Sequence, residues 1–206
     1  RVIVGNPPYS IGQKSANDNA QNLSYPTLDE RILKTYRKES NNMSALAVAA
    51  LRDSYIKAFR WASDRISKDE GGIVAFISNG AWIDGNAQDG MRRCFEEEFT
   101  SIYVLNLRGN QRTSGELSRK EGGKIFGSGS RTPIAITFLI KNPAKKGQKA
   151  TIYYHDIGDY LSREQKLKMV KDFRSISSQK LDWQIITPND KADWINQRDG
   201  VFDSLI

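Results

Sequence analysis

The stretch RVIVGNPPY, residues 1–9, decides the fold. Val2–Val4 is a short β-branched run, the pattern of a strand buried on both faces. It runs into Gly5-Asn6-Pro7-Pro8, where two prolines fix φ and give the strand a stiff exit. Working outward, Ser44 is a plausible helix N-cap, and Val48, Leu51, Tyr55, Phe59, Ala62 and Ile66 step by three and four. That spacing predicts one long amphipathic helix with a single apolar face. Gly71-Gly72 stops it, and GIVAFIS (72–78) reads as a buried strand. A helix is expected near Gln88–Phe99, with Met91, Phe95 and Phe99 in register, followed by a strand at SIYVLNL (101–107). PIAITFLI (133–140) is a further strand, and TIYYHDI (151–157) is expected to return as its antiparallel partner. Ser162 followed by Gln165 is a capping-box pattern opening a helix to about Phe173. Alternation of strands with helices of crossover length places the chain in the α/β class.

Two long stretches lack this regularity. Residues 10–42 are polar, with one short helix expected around Leu28–Tyr36. RGNQRTSGELSRKEGGKIFGSGSRT (108–132) is glycine-rich and basic and reads as a loop. Apolar Val2–Val4 belongs in the middle of a sheet, yet nothing before it covers its other edge. Such an edge tends to pair with another chain, so self-association is expected. The chain also begins at Arg1 inside this apolar run, without an initiator Met, and is read as a segment of a longer protein.

The chain has 206 residues and a formal net charge of +7, which favours an acidic partner, nucleic acid before anionic membrane. No apolar stretch is long enough to span a bilayer, so no membrane partner is expected. The single cysteine, Cys94, rules out an internal disulfide and any zinc-finger framework. It is read as a core residue, no metal site is expected, and a reducing, cytoplasmic setting follows. His155 reads as a packed or surface residue. Trp61, Trp82, Trp183 and Trp194 read as packing residues, with Trp82 close enough to a strand end to line a pocket. Lys145, Lys146 and Lys149 read as a solvated turn.

Asn6-Pro7-Pro8-Tyr9 carries the chemistry. The lone pair of an exocyclic amine on an aromatic ring is delocalised, which makes the nitrogen a poor nucleophile. Two acceptors for its two hydrogens pull it toward tetrahedral geometry and free the lone pair for attack on a sulfonium methyl. Asn6 Oδ1 is one acceptor, and a backbone carbonyl of the Pro7–Pro8 step is the other, held in place by the proline rings. Tyr9 can stack on a base turned out of the duplex. No general base is required, so a lone histidine is no objection. In the 108–132 loop, Arg108, Arg112, Arg119, Lys120 and Lys124 suit phosphate contact.

Asn6-Pro7-Pro8-Tyr9 after a strand resembles the catalytic motif of S-adenosylmethionine-dependent amino-methyltransferases. The helix with LRDSY (51–55) and the later strands follow in the order of the remaining motifs of adenine-specific DNA methyltransferases. RTSGELSRKEGGKIFGSGSRTPIAITFLIK, TIYYHDIGDYLSREQKL and WINQRDGVF resemble the methylase part of large single-chain restriction–modification proteins that fuse helicase, methylase and target recognition. The resemblance covers nearly the whole chain. It implies a partial Rossmann-like methyltransferase fold, with later strands that include an antiparallel one and its front half missing. Residues 1–142 would be the C-terminal half of the catalytic domain, and 143–206 an extension leading toward a target recognition domain. It implies S-adenosylmethionine as cofactor and double-stranded DNA as partner, with helicase or nuclease domains in the same parent chain. Asn6 and the Pro7 backbone would hold the N6 amine of a flipped adenine and face the methyl donor, with Leu51 and Asp53 near the cofactor's adenosine. The glycine-rich cofactor loop and the ribose-binding acid of such enzymes would lie upstream of Arg1, so the segment alone is expected to be inactive. The same amine chemistry would serve a glutamine amide of a protein or a guanine in RNA, and a non-catalytic DNA-binding module is the rival of another class.

Overall fold

The computed structural model describes residues 1–8, 23–127, 131–145 and 147–198. Its centre is a six-stranded mixed sheet of strand order β1-β2-β4-β3-β5-β6. The strands are β1 (Val2–Gly5), β2 (Gly72–Asn79), β3 (Ser101–Asn106), β4 (Ile134–Lys141), β5 (Thr151–Asp156) and β6 (Gln184–Ile186). β1 and β2 are parallel, as are β3 and β5, while β4 runs antiparallel between β2 and β3. The α/β class and the presence of antiparallel pairing are therefore as expected, but the antiparallel strands are β4 itself and, at the far edge beside β5, β6. Residues 151–156, expected to pair antiparallel with β4, instead continue the parallel set beside β3. The chain between β4 and β5 crosses the amino edge of β3 and so brings β5 up in the same direction as β3.

One face of the sheet is sealed. Val74, Phe76, Ile102, Val104, Leu139 and Ile152 are all buried on it, under α3 (Ser54–Ser63), α4 (Asp89–Glu98) and the α1 segment (Pro26–Ile32). Phe59 of α3 lies at the heart of an aromatic cluster, 5.0 Å from Phe76, 5.4 Å from Phe95 and 5.9 Å from Trp82 between ring centres. Trp82 also meets Trp194 edge-on at 5.4 Å. Each such ring pair adds about 0.5–1.5 kcal/mol beyond simple area burial. Gly90 lets α4 approach closely, because a Cβ there would lie 1.9 Å from the Tyr36 carbonyl oxygen.

The other face is covered only in part. Two further helices, α2 (Ala45–Ala50) and α5 (Gly115–Glu121), precede α6 (Arg163–Phe173) in the chain, and α6 packs Phe173 with Leu105, Leu107, Ile134 and Ile157. At the β1 end nothing described covers the sheet, and Val2 and Val4 are 66% and 75% exposed. β1, expected to be central, is thus at the edge of the described sheet.

The long helix expected over residues 44–66 is two. Ser44 caps α2 by accepting from the Ala47 amide at 3.2 Å. Asp53 then adopts extended geometry (φ −59°, ψ 140°) and starts α3. The apolar spacing continues across the break because Leu51, Tyr55 and Phe59 all face the same core. At α6 the capping box is complete, with Ser162 and Gln165 exchanging side-chain and backbone bonds. Ser162→Ala is expected to lower stability by about 1 kcal/mol, read as a lower urea midpoint at unchanged slope.

Candidate functional site

β1, β2, β3 and β5 run in one direction, so Gly5, Asn79, Asn106 and Asp156 end along one edge of the sheet. In open α/β sheets this carboxyl edge is where ligands bind. Asn6-Pro7-Pro8 leaves β1 there, with Asn6 and Pro8 exposed and Pro7 buried. A buried Pro7 between two exposed neighbours fixes the step that follows Asn6. Tyr9 lies outside the described residues. The neighbouring strand end is occupied by its own turn: Asn79 Oδ1 accepts from the Ala81 amide at 3.0 Å. Trp82, beyond that turn, is fully buried in the aromatic cluster and does not face the edge as a pocket wall.

Leu51 and Asp53 sit where α2 gives way to α3. Both are buried. Leu51 lines a cavity of about 360 Å³ together with Asp29, Ile32, Val48, Arg52 and Lys57, at the small end of ligand-pocket sizes. Asp53 is not among the described lining residues. Lys57 Nζ closes one side, 2.8 Å from Asp29 Oδ1 and donating to the Leu23 carbonyl at 2.8 Å. Burial raises the Asp29 carboxyl, but its bonds from Lys57 and the Tyr25 amide outweigh that and hold it below the usual carboxylate range.

The basic segment from Arg108 leaves β3 and re-enters the sheet at β4, so both of its ends are on the same carboxyl edge. Where a structureless loop was expected it contains the short helix α5. Gly115 opens that helix and Gly122 follows it, a length too short for apolar periodicity to reveal. Arg108 is not a free cation: Nε donates to Asp156 Oδ1 at 2.6 Å and Nη1 to Asp159. Asp156 also accepts from Tyr154 Oη at 3.1 Å and from the Gly158 amide at 2.8 Å. Arg119 pairs with Glu116 on its own helix, and Lys120 stands 4.0 Å from Asp159. Arg112 is exposed and Lys124 half-buried. The five expected phosphate contacts are therefore brought to one lobe, but Arg108 serves mainly to tie that lobe to β5.

Sequence reasoning missed the second tie, Lys166. Its side chain is fully buried and Nζ donates to the carbonyls of Glu121 and Gly123 at 2.7 and 2.8 Å. The signal was present: Lys166 shares a helix stripe with Met169, Val170 and Phe173, where a lysine is buried only if it has partners. Burial pushes its ammonium down from 10.5 to about 8. Between these values the folded state binds fewer protons than the unfolded state, so the lysine's contribution to stability rises with pH. The stability difference between the protein and Lys166→Met should grow from about pH 8 to about pH 10 in denaturant titrations; a flat or falling difference would contradict the burial account.

The remaining expectations concern packing. Cys94 is buried, and burial pushes its thiol up to about 12. His155 packs edge-on against Phe173 and Trp183, with Nδ1 2.9 Å from the Asp182 carbonyl oxygen. Trp61 departs from expectation, being exposed with Arg65 stacked 3.9 Å over its ring. Lys149 pairs with Glu97 at 3.1 Å, and Lys146 lies outside the described residues. No helix among the described residues is long and apolar enough to cross a membrane.

No protein-family model and no curated protein matches the chain. Solved structures do. A nuclease-deletion mutant of the Type ISP restriction–modification enzyme LlaGI, in complex with a DNA substrate mimic, is 48% identical over 98% of this chain, with a TM-score of 0.86. The ATP-dependent Type ISP restriction–modification enzyme LlaBIII, bound to DNA, is 43% identical over 98%, with a TM-score of 0.87. DrdV, in a complex with DNA, is 36% identical over 97%, with a TM-score of 0.82. The chain spans only 16%, 13% and 18% of the length of these three proteins. Over nearly its whole length, then, the chain is homologous to one segment of the Type ISP restriction–modification enzymes.

Proposed function

We propose that this chain is the target-base half of an adenine-specific DNA methyltransferase in a restriction–modification protein. The observation that carries the reading is the position of Asn6-Pro7-Pro8, at the carboxyl end of a parallel strand, in a chain homologous to restriction–modification enzymes seen with DNA. Asn6 Oδ1 accepts one hydrogen of the adenine N6 amine and the carbonyl of Pro7 accepts the other. This concentrates the nitrogen lone pair on the side facing the donor. Tyr9 stacks on the extruded base. S-adenosylmethionine, when bound, supplies a sulfonium methyl group for that lone pair. The cavity beside Leu51 fits the adenosine end of this cofactor in size and in its apolar wall of Ile32, Val48 and Leu51, and buried Asp53 stands at the neighbouring α2–α3 junction.

Arg112, Lys120 and Lys124 contact phosphates next to the flipped base. Residues 143–206 lead toward a target recognition domain, and the same parent chain carries ATP-dependent and nuclease domains, in a cytoplasmic protein. The test is transfer of labelled methyl from S-adenosylmethionine by the full-length protein, offered duplex DNA, RNA and glutamine-containing protein side by side. Label on DNA adenine is the expected result. Label on RNA or protein alone would replace the substrate, and tight DNA binding without transfer would leave a non-catalytic module.

A further inference from the structure

α5 is a helix with no buried residue, raised on the carboxyl edge. Its Leu117 is 65% exposed, and Tyr160 beside it is 58% exposed with its hydroxyl donating to Glu116. An apolar side chain this far into solvent is unremarkable alone. Here the same segment also carries Arg112, Lys120 and Lys124, and its support is rigid. Lys166 holds the carbonyls of Glu121 and Gly123, Arg163 Nε donates to the Ile125 carbonyl at 2.8 Å, and the Tyr160 amide donates to the Lys120 carbonyl at 3.0 Å. Gly122 and Gly123 press on the 161–163 backbone so closely that a Cβ would come within 2.3 and 2.4 Å of it. Arg108 and Tyr160, the two ends of the brace, both hold left-handed φ, at 56° and 60°. Strain of this kind is retained where the surroundings fix a functional geometry.

We propose that Leu117 is a wedge that enters the DNA base stack and holds open the place vacated by the flipped adenine. The inference rests on the function proposed above. β3 is three strand positions from β1 in the sheet, so the root of the α5 lobe stands about 14 Å from the Asn6 strand end at ~4.8 Å per strand. That is the scale of a DNA groove, and a base seated at Asn6 leaves its gap at about this distance. The cations of this segment draw in the phosphates, and the exposed Leu117 gains by leaving water for the space between base pairs, as in other duplex-kinking proteins.

The test uses the full-length enzyme with Leu117→Ala and Leu117→Met. Methyl transfer is measured on a matched site and on one with a mismatch opposite the target adenine, with 2-aminopurine fluorescence at the target reporting extrusion. Leu117→Ala should lose about tenfold or more of the rate on the matched site, with a matching loss of fluorescence, and regain most of it on the mismatched site, where extrusion is cheap. Leu117→Met should stay near the parent. An unchanged rate for Leu117→Ala, or a loss that the mismatch does not relieve, would overturn the wedge while leaving the methyltransferase intact. A parent enzyme that methylates no DNA would overturn both.

Discussion

Asn6→Ala in the full-length enzyme should lower the rate of methyl transfer to DNA by about 10²–10³-fold, the loss typical of one pre-aimed hydrogen-bond partner at a reacting group. The argument is chemical. An adenine amine shares its lone pair with the ring, and the nitrogen attacks only as far as it is pulled out of that conjugation. In the proposed mechanism Asn6 supplies half of the pull, and the carbonyl at Pro7, left in place by the substitution, supplies the rest. The loss should fall in kcat, because the bond strengthens as the nitrogen becomes tetrahedral. DNA affinity should barely move, since phosphate contacts dominate it. Asn6→Asp should recover part of the rate, because a carboxylate also accepts. A tightly DNA-bound Asn6→Ala enzyme that transfers methyl within threefold of the parent rate would remove Asn6 from the mechanism.

The largest expected effect on folding is at Arg92. It is fully buried on α4, where Nε donates to the Ala192 carbonyl at 2.6 Å and Nη1 donates to the carbonyls of Trp82 and Gly85 at 2.8 Å each. Nη2 stands 3.6 Å from Asp193. One side chain thus joins α4, the turn after β2 and the 189–198 segment that carries Trp194 into the core. Removing it leaves three carbonyls without that donor and a buried void where α4 meets these segments. Breaking a buried, hydrogen-bonded pair costs about 3–5 kcal/mol, so Arg92→Ala should move the urea midpoint far down. Arg119→Ala, which removes an exposed pair within α5, should cost under about 1 kcal/mol. Near-equal effects of the two would contradict this account of what joins the segments.

Much of this architecture is legible in the residues because burial leaves a pattern. GIVAFIS and PIAITFLI are apolar on both faces and form β2 and β4, and the Ser162/Gln165 pair marks the start of α6. What periodicity could not separate is the pair α2 and α3, since both turn the same apolar stripe to one core; the helix-starting Asp53-Ser54 inside LRDSY was the local signal. Strand order was harder still. β5 is apolar and tyrosine-rich whether it pairs parallel with β3 or antiparallel with β4, and hairpin proximity favoured the wrong neighbour. At the candidate site the Asn6–Pro8 step was legible from residue type alone. The neutralisation of Arg108 by Asp156 and Asp159 was not, because those partners are about fifty positions away in sequence and only the β3–β5 pairing brings them together.

The most direct measurement is a structure of the full-length protein with a duplex carrying its methylation site and a non-reactive analogue of the methyl donor. The account predicts the target adenine out of the stack, with its N6 nitrogen about 2.7–3.2 Å from both Asn6 Oδ1 and the Pro7 carbonyl oxygen. An adenine still paired in the duplex, or an extruded base held elsewhere with Asn6 facing solvent, would contradict it.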